Sequence, residues 1–241
     1  MIDFLKGLLF PRKCFTCGAV LPDAKADTLF CSKCLLEYEK LERVFCEKCG
    51  KREKECVCIP ETLRGKAEAS LHLFAFDEAL SHTLIYSLKQ KNLTALQKFL
   101  AGRLSHMIAA RFGEELSTFS ITYAPRKPKS VRIYGFDQAK ILAELIAKEL
   151  SLPCEEMFVH ARFSALQKTL NAKERAQNAE KSYSVISDFC PQTENLLIVD
   201  DVMTTGSTLS VLCELAHAVG YRKIIVVCVA KTAHRKKEER K

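Results

Sequence analysis

The sequence predicts an α/β fold: a parallel sheet covered by helices on both faces, preceded by a small cysteine-rich N-terminal module. Three observations carry that expectation. Eight of the twelve cysteines fall before residue 60, in close pairs. Beyond that point short apolar runs alternate with longer segments of helical period, the pattern of strands buried on both faces between helices. Finally, LLIVDDVMTTGST, residues 196–208, runs an apolar strand into two adjacent acids and a polar turn with one glycine. A chain of 241 residues holds one such domain plus a small module, and the change in texture divides it into residues 1–60 and 61–241.

In the opening stretch MIDFLKGLLFPRKC, Ile2, Leu5 and Leu9 share one helical face, with Phe4 and Leu8 beside them. Two readings stand: packing onto the protein itself, or peripheral contact of residues 2–10 with the inner face of a membrane. The stretch is too short and interrupted for a signal peptide, and no small-residue cleavage site follows. No apolar run approaches the roughly 20 residues of a membrane-spanning helix. A cytoplasmic protein is therefore expected.

Without a signal peptide, C-x-x-C pairs favour metal over disulfides. CFTC and CSKC, thirteen residues apart, supply Cys14, Cys17, Cys31 and Cys34. CEKCG and CVC supply Cys46, Cys49, Cys56 and Cys58, with an unusual C-x-C closing pair. Gly18 and Gly50 ease the tight turn that lets two sulfurs converge on one tetrahedral ion. Four thiolates leave no open position, so each zinc ion would be structural and supply folding energy to a segment poor in large apolar residues. Spacing alone leaves open whether the pairs combine in order or interleave, and iron–sulfur ligation is the rival. His72 could replace a cysteine in the second set. His82, His106, His160, His217 and His234 show no metal-like spacing, and Cys213 and Cys228 read as small buried hydrophobes.

The formal charge is +8, which suggests an anionic partner. Eight thiolates around two zinc ions would lower it to about +4. The first 60 residues carry 11 Lys/Arg against 9 Asp/Glu, so the surplus lies in the larger domain and the tail HRKKEERK. Nucleic-acid binding is permitted by this balance but not demanded by it.

The elements of that domain follow in order. LHLFAF (71–76) reads as a strand, DEALSHTLIYSLKQK (77–91) and TALQKFLAGRLSHMIAARF (94–112) as helices, and ITYAP (121–125) as a buried strand ended by proline. FDQAKILAELIAKELSL (136–152) is an amphipathic helix closed by Pro153. LLIVDD (196–201) is a strand, STLSVLCELAHAVG (207–220) a helix stopped by Gly220, and KIIVVCVA (223–230) a last strand. Ligands of such sheets bind beyond the carboxyl ends of the strands, where Asp200 and Asp201 stand. The turn Thr204, Thr205, Gly206, Ser207, Thr208 leads into a helix, whose free N–H groups and dipole favour a phosphate. An anion cradle beside two carboxylates suits a sugar phosphate, the acids accepting sugar hydroxyls or meeting a magnesium ion. Neither G-x-x-x-x-G-K nor G-x-G-x-x-G is present, which disfavours a nucleotide triphosphatase or a dehydrogenase.

Residues 196–208 resemble the phosphoribosyl-pyrophosphate (PRPP) motif of type I phosphoribosyltransferases. That resemblance implies a PRPP site with magnesium, in which Asp200 and Asp201 contact ribose hydroxyls and Thr204 to Thr208 hold the 5′-phosphate. APRKPKSVRIYGFDQAKILAELIA (124–147) is similar to a segment of the ComF family with a proline-ended strand, a basic loop and G-F-N/D-Q-A opening a helix. Its Arg126, Lys127, Lys129 and Arg132 would lie at the pyrophosphate end, and Tyr134 stands where that family usually has arginine. LQKTLNAKERAQNAEKSY (166–183) resembles the family's Q-x-x-L…R-x-x-N segment through Gln167, Leu170, Arg175, Asn178 and Tyr183. Lys168, Lys173 and Arg175 would then lie on a mobile loop able to close over the site, with Lys168 and Arg175 as the catalytic candidates.

With the cysteine-rich start and IYSLKQKN (85–92), the likeness to ComF-type competence proteins covers nearly the whole chain. It implies handling of incoming single-stranded DNA during natural transformation, with a PRPP-binding domain. Phe15, Phe30 and Phe45 could stack bases, although such rings also build small cores. Two other functions stay open: transfer of ribose 5-phosphate from PRPP to a base, for which no acceptor pocket is marked, and a zinc-stabilised adaptor for a DNA-uptake helicase or recombination protein. Tyr86 and Lys89 either approach the ligand or belong to a plain helix surface.

Overall fold

Alternating apolar runs and periodic segments become six strands and six helices among the described residues. The structure is a computed structural model that describes residues 12–21, 28–43, 46, 49–52, 55–160 and 182–232. Residues 2–10, Phe45, the tail and the stretch containing Gln167, Lys168, Leu170, Lys173, Arg175 and Asn178 lie outside them. The strands are β1 (Ala69–Ala75), β2 (Phe119–Tyr123), β3 (Phe158–His160), β4 (Tyr183–Val185), β5 (Asn195–Met203) and β6 (Lys223–Lys231). The helices are α1 (Ser32–Leu41), α2 (Ala79–Gln90), α3 (Thr94–Phe112), α4 (Pro128–Tyr134), α5 (Gln138–Leu150) and α6 (Ser207–Ala218).

Strands β1, β6, β5 and β2 pair in that order, all parallel, so their carboxyl ends share one edge. Alternation along β5 sends Leu197 and Val199 to one face, with residues of α2, α3 and α5. Leu196 and Ile198 go to the other, with Leu209, Leu212 and Cys213 of α6. Cys213 and Cys228 are fully buried there, as small hydrophobes. A separate antiparallel pair joins β3 to β4.

Local chemistry sets the helix ends. Ser81 Oγ accepts from the Glu78 N–H at 3.1 Å at the start of α2, and Asp137 accepts from the Ala139 and Lys140 N–H groups at 3.0 and 3.2 Å at the start of α5. The segment expected to be a basic loop contains α4. Pro128 at its first turn suits a helix start, and Gly135 at φ 79° closes it in the left-handed region. The outer edge of β2 is covered: the Ile121 N–H donates to Pro153 O at 2.8 Å and Ile121 O accepts from Glu155 N at 2.7 Å.

The cysteine-rich module is part of the same core. Phe30 is 5% exposed. Its ring stacks on Tyr38 at 5.7 Å and meets Phe99 of α3 edge-on at 5.2 Å, while Tyr38 meets Phe74 of β1 edge-on at 6.2 Å. Phe30 is therefore a core ring and not a base-stacking platform, the ordinary role of an aromatic in a small module. Beside it the buried Glu42 accepts from Tyr38 Oη at 2.8 Å and from both Nε and Nη2 of Arg103 on α3.

Arg103→Met leaves that carboxylate without its cation. Because Arg103 is itself partly exposed, we expect a loss of about 2 kcal/mol, read by equilibrium denaturation at fixed zinc. A loss below about 0.5 kcal/mol would show the pair to be worth no more than a surface one.

Candidate functional site

Each C-x-x-C-G forms the same turn. The Gly18 N–H donates to Cys14 O at 2.9 Å and the Gly50 N–H to Cys46 O at 2.8 Å, with positive φ at both glycines. Cys14, Cys17, Cys31 and Cys34 converge, as do Cys46, Cys49, Cys56 and Cys58, with the sulfurs of each set within 4.8 Å of one another. The pairs thus combine in order, and His72 is not in either set. A tetrahedral zinc ion with Zn–S of about 2.3 Å needs sulfurs about 3.8 Å apart. Cys17 and Cys31 are 3.8 Å apart, and Cys49 and Cys56 are 3.7 Å apart. Both sets fit structural zinc. Burial and neighbouring sulfurs push the Cys34 thiol up to about 12. Against burial, the backbone N–H groups of Cys17, Cys31 and Thr16 draw Cys14 down to about 6.

At the carboxyl edge, β5 runs two residues past the acids, to Met203, and Val202 still pairs with Ala230. The regular alternation breaks at the acids: Val202 packs with the face of Leu197 and Val199, and Met203 with that of Leu196 and Ile198. Asp201, 4% exposed, accepts from Gln138 Nε2 at 2.6 Å and pairs with Lys89 Nζ at 3.3 Å. These partners start α5 and end α2, on the first face. Asp200 accepts its neighbour's N–H at 2.7 Å and lies near Tyr183, Cys228 and Lys89. Burial, then the charge of Asp201, holds the Asp200 carboxyl well above its ordinary value.

The turn follows as expected. Gly206, the N-cap of α6, has φ 79° and no side chain to cap it, so the first turn points N–H groups where an anion would sit. Thr204, Thr205, Ser207 and Thr208 are exposed. The Ser207 N–H donates to Thr205 Oγ1 at 3.3 Å, and the hydroxyls of Thr205 and Ser207 pair at 2.9 Å.

Sequence reasoning missed what braces this turn. Residues 58–67, continuing from the last cysteine, lie along it. Thr62 Oγ1 donates to Thr205 O at 2.6 Å, and Lys231 Nζ donates to Cys58 O at 2.9 Å. A Cβ on Gly206 would come 2.8 Å from Thr62 Oγ1 and 3.2 Å from Pro60 Cγ. Glycine is required there by close approach as well as by φ. Leu63 is fully buried in the α6-side core, and Lys66 Nζ reaches Ser210 Oγ at 2.6 Å and Glu214 Oε1 at 2.5 Å. Only the invasive glycine hinted at this in the sequence.

Arg126 and Lys127 stand just beyond β2, at the same edge. The Arg126 guanidinium donates to Lys89 O at 2.8 Å and to Phe136 O at 3.3 Å, and stacks on Tyr134 at 4.4 Å. It binds segments together, while Lys127 is exposed. Lys89, at the end of α2, reaches Asp201, and Tyr86 is exposed. Lys168 and Arg175 lie outside the described residues. A cavity of about 530 Å³ between the cysteine module and α3, walled by Lys51, Val57, Leu71 and Met107, shares no residue with this site. No helix among the described residues is long and apolar enough to cross a membrane.

A family model described as "Phosphoribosyl transferase domain" matches residues 138–241, and one described as "Double zinc ribbon domain" matches residues 5–63. Competence protein F of Haemophilus influenzae is 31% identical over 94 residues, which is 38% of this chain and 41% of that protein. DNA utilization protein YhgH of Escherichia coli is 29% identical over 99 residues, 41% of this chain and 43% of that protein. The chain thus spans less than half the length of these curated relatives. Among solved structures, the allosteric regulatory enzyme of purine biosynthesis gives a TM-score of 0.40 at 17% identity, over 60% of this chain and 29% of that one. A purine phosphoribosyltransferase from Pyrococcus horikoshii gives 0.35 at 19% identity, over 55% and 74%.

Two outcomes are expected. Chelation of zinc should speed amide exchange at residues 206–210, measured by hydrogen–deuterium exchange; unchanged rates would show that the brace stands without the metal. Asp200 is ionised in the unfolded chain above its ordinary value of 3.8 but held protonated when folded, so stability falls as pH rises from there through its raised value. Asp200→Asn should remove that fall and be more stable than the natural protein near neutral pH, in denaturation curves at several pH values.

Proposed function

We propose that the chain, which is matched by models of a double zinc ribbon and a phosphoribosyl transferase domain and is similar to Competence protein F and DNA utilization protein YhgH, is a ComF-family protein that acts in competence and DNA utilization, binding PRPP and handling single-stranded DNA in the cytoplasm. The observation that carries the ligand is the glycine-opened start of α6 beside Asp200 and Asp201, at the carboxyl edge of a parallel sheet. A 5′-phosphate fits the turn: N–H groups and the hydroxyls of Thr204, Thr205, Ser207 and Thr208 donate to it. The ribose ring then lies toward the acids, where hydroxyl groups donate to carboxylate oxygens. Lys127 faces the pyrophosphate end, beyond β2. Magnesium, when bound with PRPP, would supply charge neutralisation of the pyrophosphate beside these acids.

The acids are set for such a ligand. Asp201 is positioned by Gln138 and balanced by Lys89, so its charge is supported before anything binds. Asp200 is held toward its neutral form by burial and by Asp201; a sugar hydroxyl or a cation arriving at it favours the ionised form. The DNA side of the reading draws on the names of the relatives, Competence protein F and DNA utilization protein YhgH. A second reading, transfer of ribose 5-phosphate to a base, is favoured by the intact pairing of acids and phosphate turn.

Calorimetry on zinc-loaded protein should detect PRPP binding that strengthens with magnesium and weakens at least tenfold, about 1.4 kcal/mol, in Asp200→Asn with Asp201→Asn. No association of the natural protein with PRPP overturns the ligand. Pyrophosphate release across a panel of bases separates transfer from sensing, and a salt-sensitive mobility shift of single strands tests the DNA role.

A further inference from the structure

Lys89 touches both ends of the site. It lies in the last turn of α2, and its ammonium is 3.3 Å from Asp201 Oδ1. Its carbonyl accepts from Arg126 Nη2 at 2.8 Å, which ties the same residue to the segment just beyond β2. Lys89 therefore bridges the acids of β5 and the end of the site where Lys127 stands exposed. Asp201 has two unequal partners. The buried Gln138 donates to Oδ2 at 2.6 Å. The Lys89 contact is longer than the roughly 2.7–2.9 Å of a tight charge-assisted hydrogen bond. The Lys89 side chain is 41% exposed against 6% for that of Asp201, so the carboxylate is fixed and the ammonium has room to move. Lys89 also lies near Asp200.

We propose that Lys89 determines specificity at this site: it is an internal counter-ion to the acid pair, displaced only by a ligand that brings an anion of its own. Its ammonium neutralises the buried Asp201 carboxylate. A sugar hydroxyl donating to that carboxylate takes over the hydrogen bond but not the charge, and a lysine drawn off without a new partner leaves a buried charge uncompensated. A pyrophosphate group on the sugar supplies the new partner. The sugar hydroxyls turn to the acids, and the ammonium turns from Asp201 to a phosphate oxygen. In the reading above the pyrophosphate lies between the acids and Lys127, the interval that Lys89 bridges. A sugar monophosphate places its one anionic group at the turn before α6 and offers Lys89 nothing. The site is thus selective for a sugar that is anionic at both ends, PRPP over ribose 5-phosphate. The inference rests on the PRPP reading and assigns its selectivity to one side chain.

The test is calorimetry on the full zinc-loaded chain, with PRPP, ribose 5-phosphate and inorganic pyrophosphate each titrated in the presence of magnesium. Lys89→Met should weaken PRPP and pyrophosphate about tenfold. Ribose 5-phosphate should bind it as well or better, because its hydroxyls no longer compete with the ammonium for Asp201. Lys89→Arg should retain the preference for PRPP. Lys89→Gln keeps a hydrogen-bond donor for the buried carboxylate without the charge and should behave as Lys89→Met does, which keeps the test open if the methionine variant fails to fold. The Arg126 contact is to the main-chain carbonyl and survives all three substitutions. A side chain that only holds the fold would weaken all three ligands by one common factor, and that result overturns the role of Lys89. PRPP binding unchanged in these variants also overturns it, and leaves the PRPP site standing. No PRPP binding by the natural protein overturns both.

Discussion

Gly206 can turn the chain into α6 only while residues 60–63 leave it the room of a single hydrogen, and those residues are held at one end by a cysteine of the second thiolate set. Thr62 grips the carbonyl before that glycine, and Lys231 at the end of β6 grips Cys58. Two modules that look separable in the sequence therefore share one mechanical element. Metal binding supplies folding free energy to the ribbon, and through residues 58–67 it also restrains the turn that would hold a phosphate. The cost of organising that turn is met when the protein folds and not when a ligand arrives.

The acids follow a different logic. The two adjacent carboxylates at the end of β5 have different partners, so one sheet edge offers two unlike groups. Asp201 has a fixed donor and a cation and is built as a charge; Asp200 is crowded toward neutrality. Titratable groups whose surroundings push them apart can serve two roles toward one ligand. Arg126 serves structure, tying α2, the start of α5 and Tyr134 together, while Lys127 is left open at that end of β2.

How much of this was legible follows from how far apart the partners lie. The thiolate sets, the single strands and helices of the sheet, the paired acids and the turn after them are local patterns, and each of these elements appears where the sequence pattern placed it. Phe30 was ambiguous because an aromatic near cysteines carries no mark of whether it faces solvent; Tyr38, Phe74 and Phe99, far along the chain, decide that it is core. α4 was read as a loop because seven residues are too few to show a period. The strands β3 and β4, of three residues each, gave no alternation to detect. The grip of Thr62 on Thr205 joins residues 143 positions apart, and only the glycine it crowds could have suggested it.

The covering of β2 by residues 153–155 has a separate consequence. An outermost strand normally displays a row of unused amides and carbonyls on which another chain can assemble. Here the middle of that row is already occupied from within the same chain, at Ile121. Lateral extension of the sheet into domain-swapped or fibrillar assemblies is blocked on that flank, and self-association there would have to proceed through side chains instead of backbone.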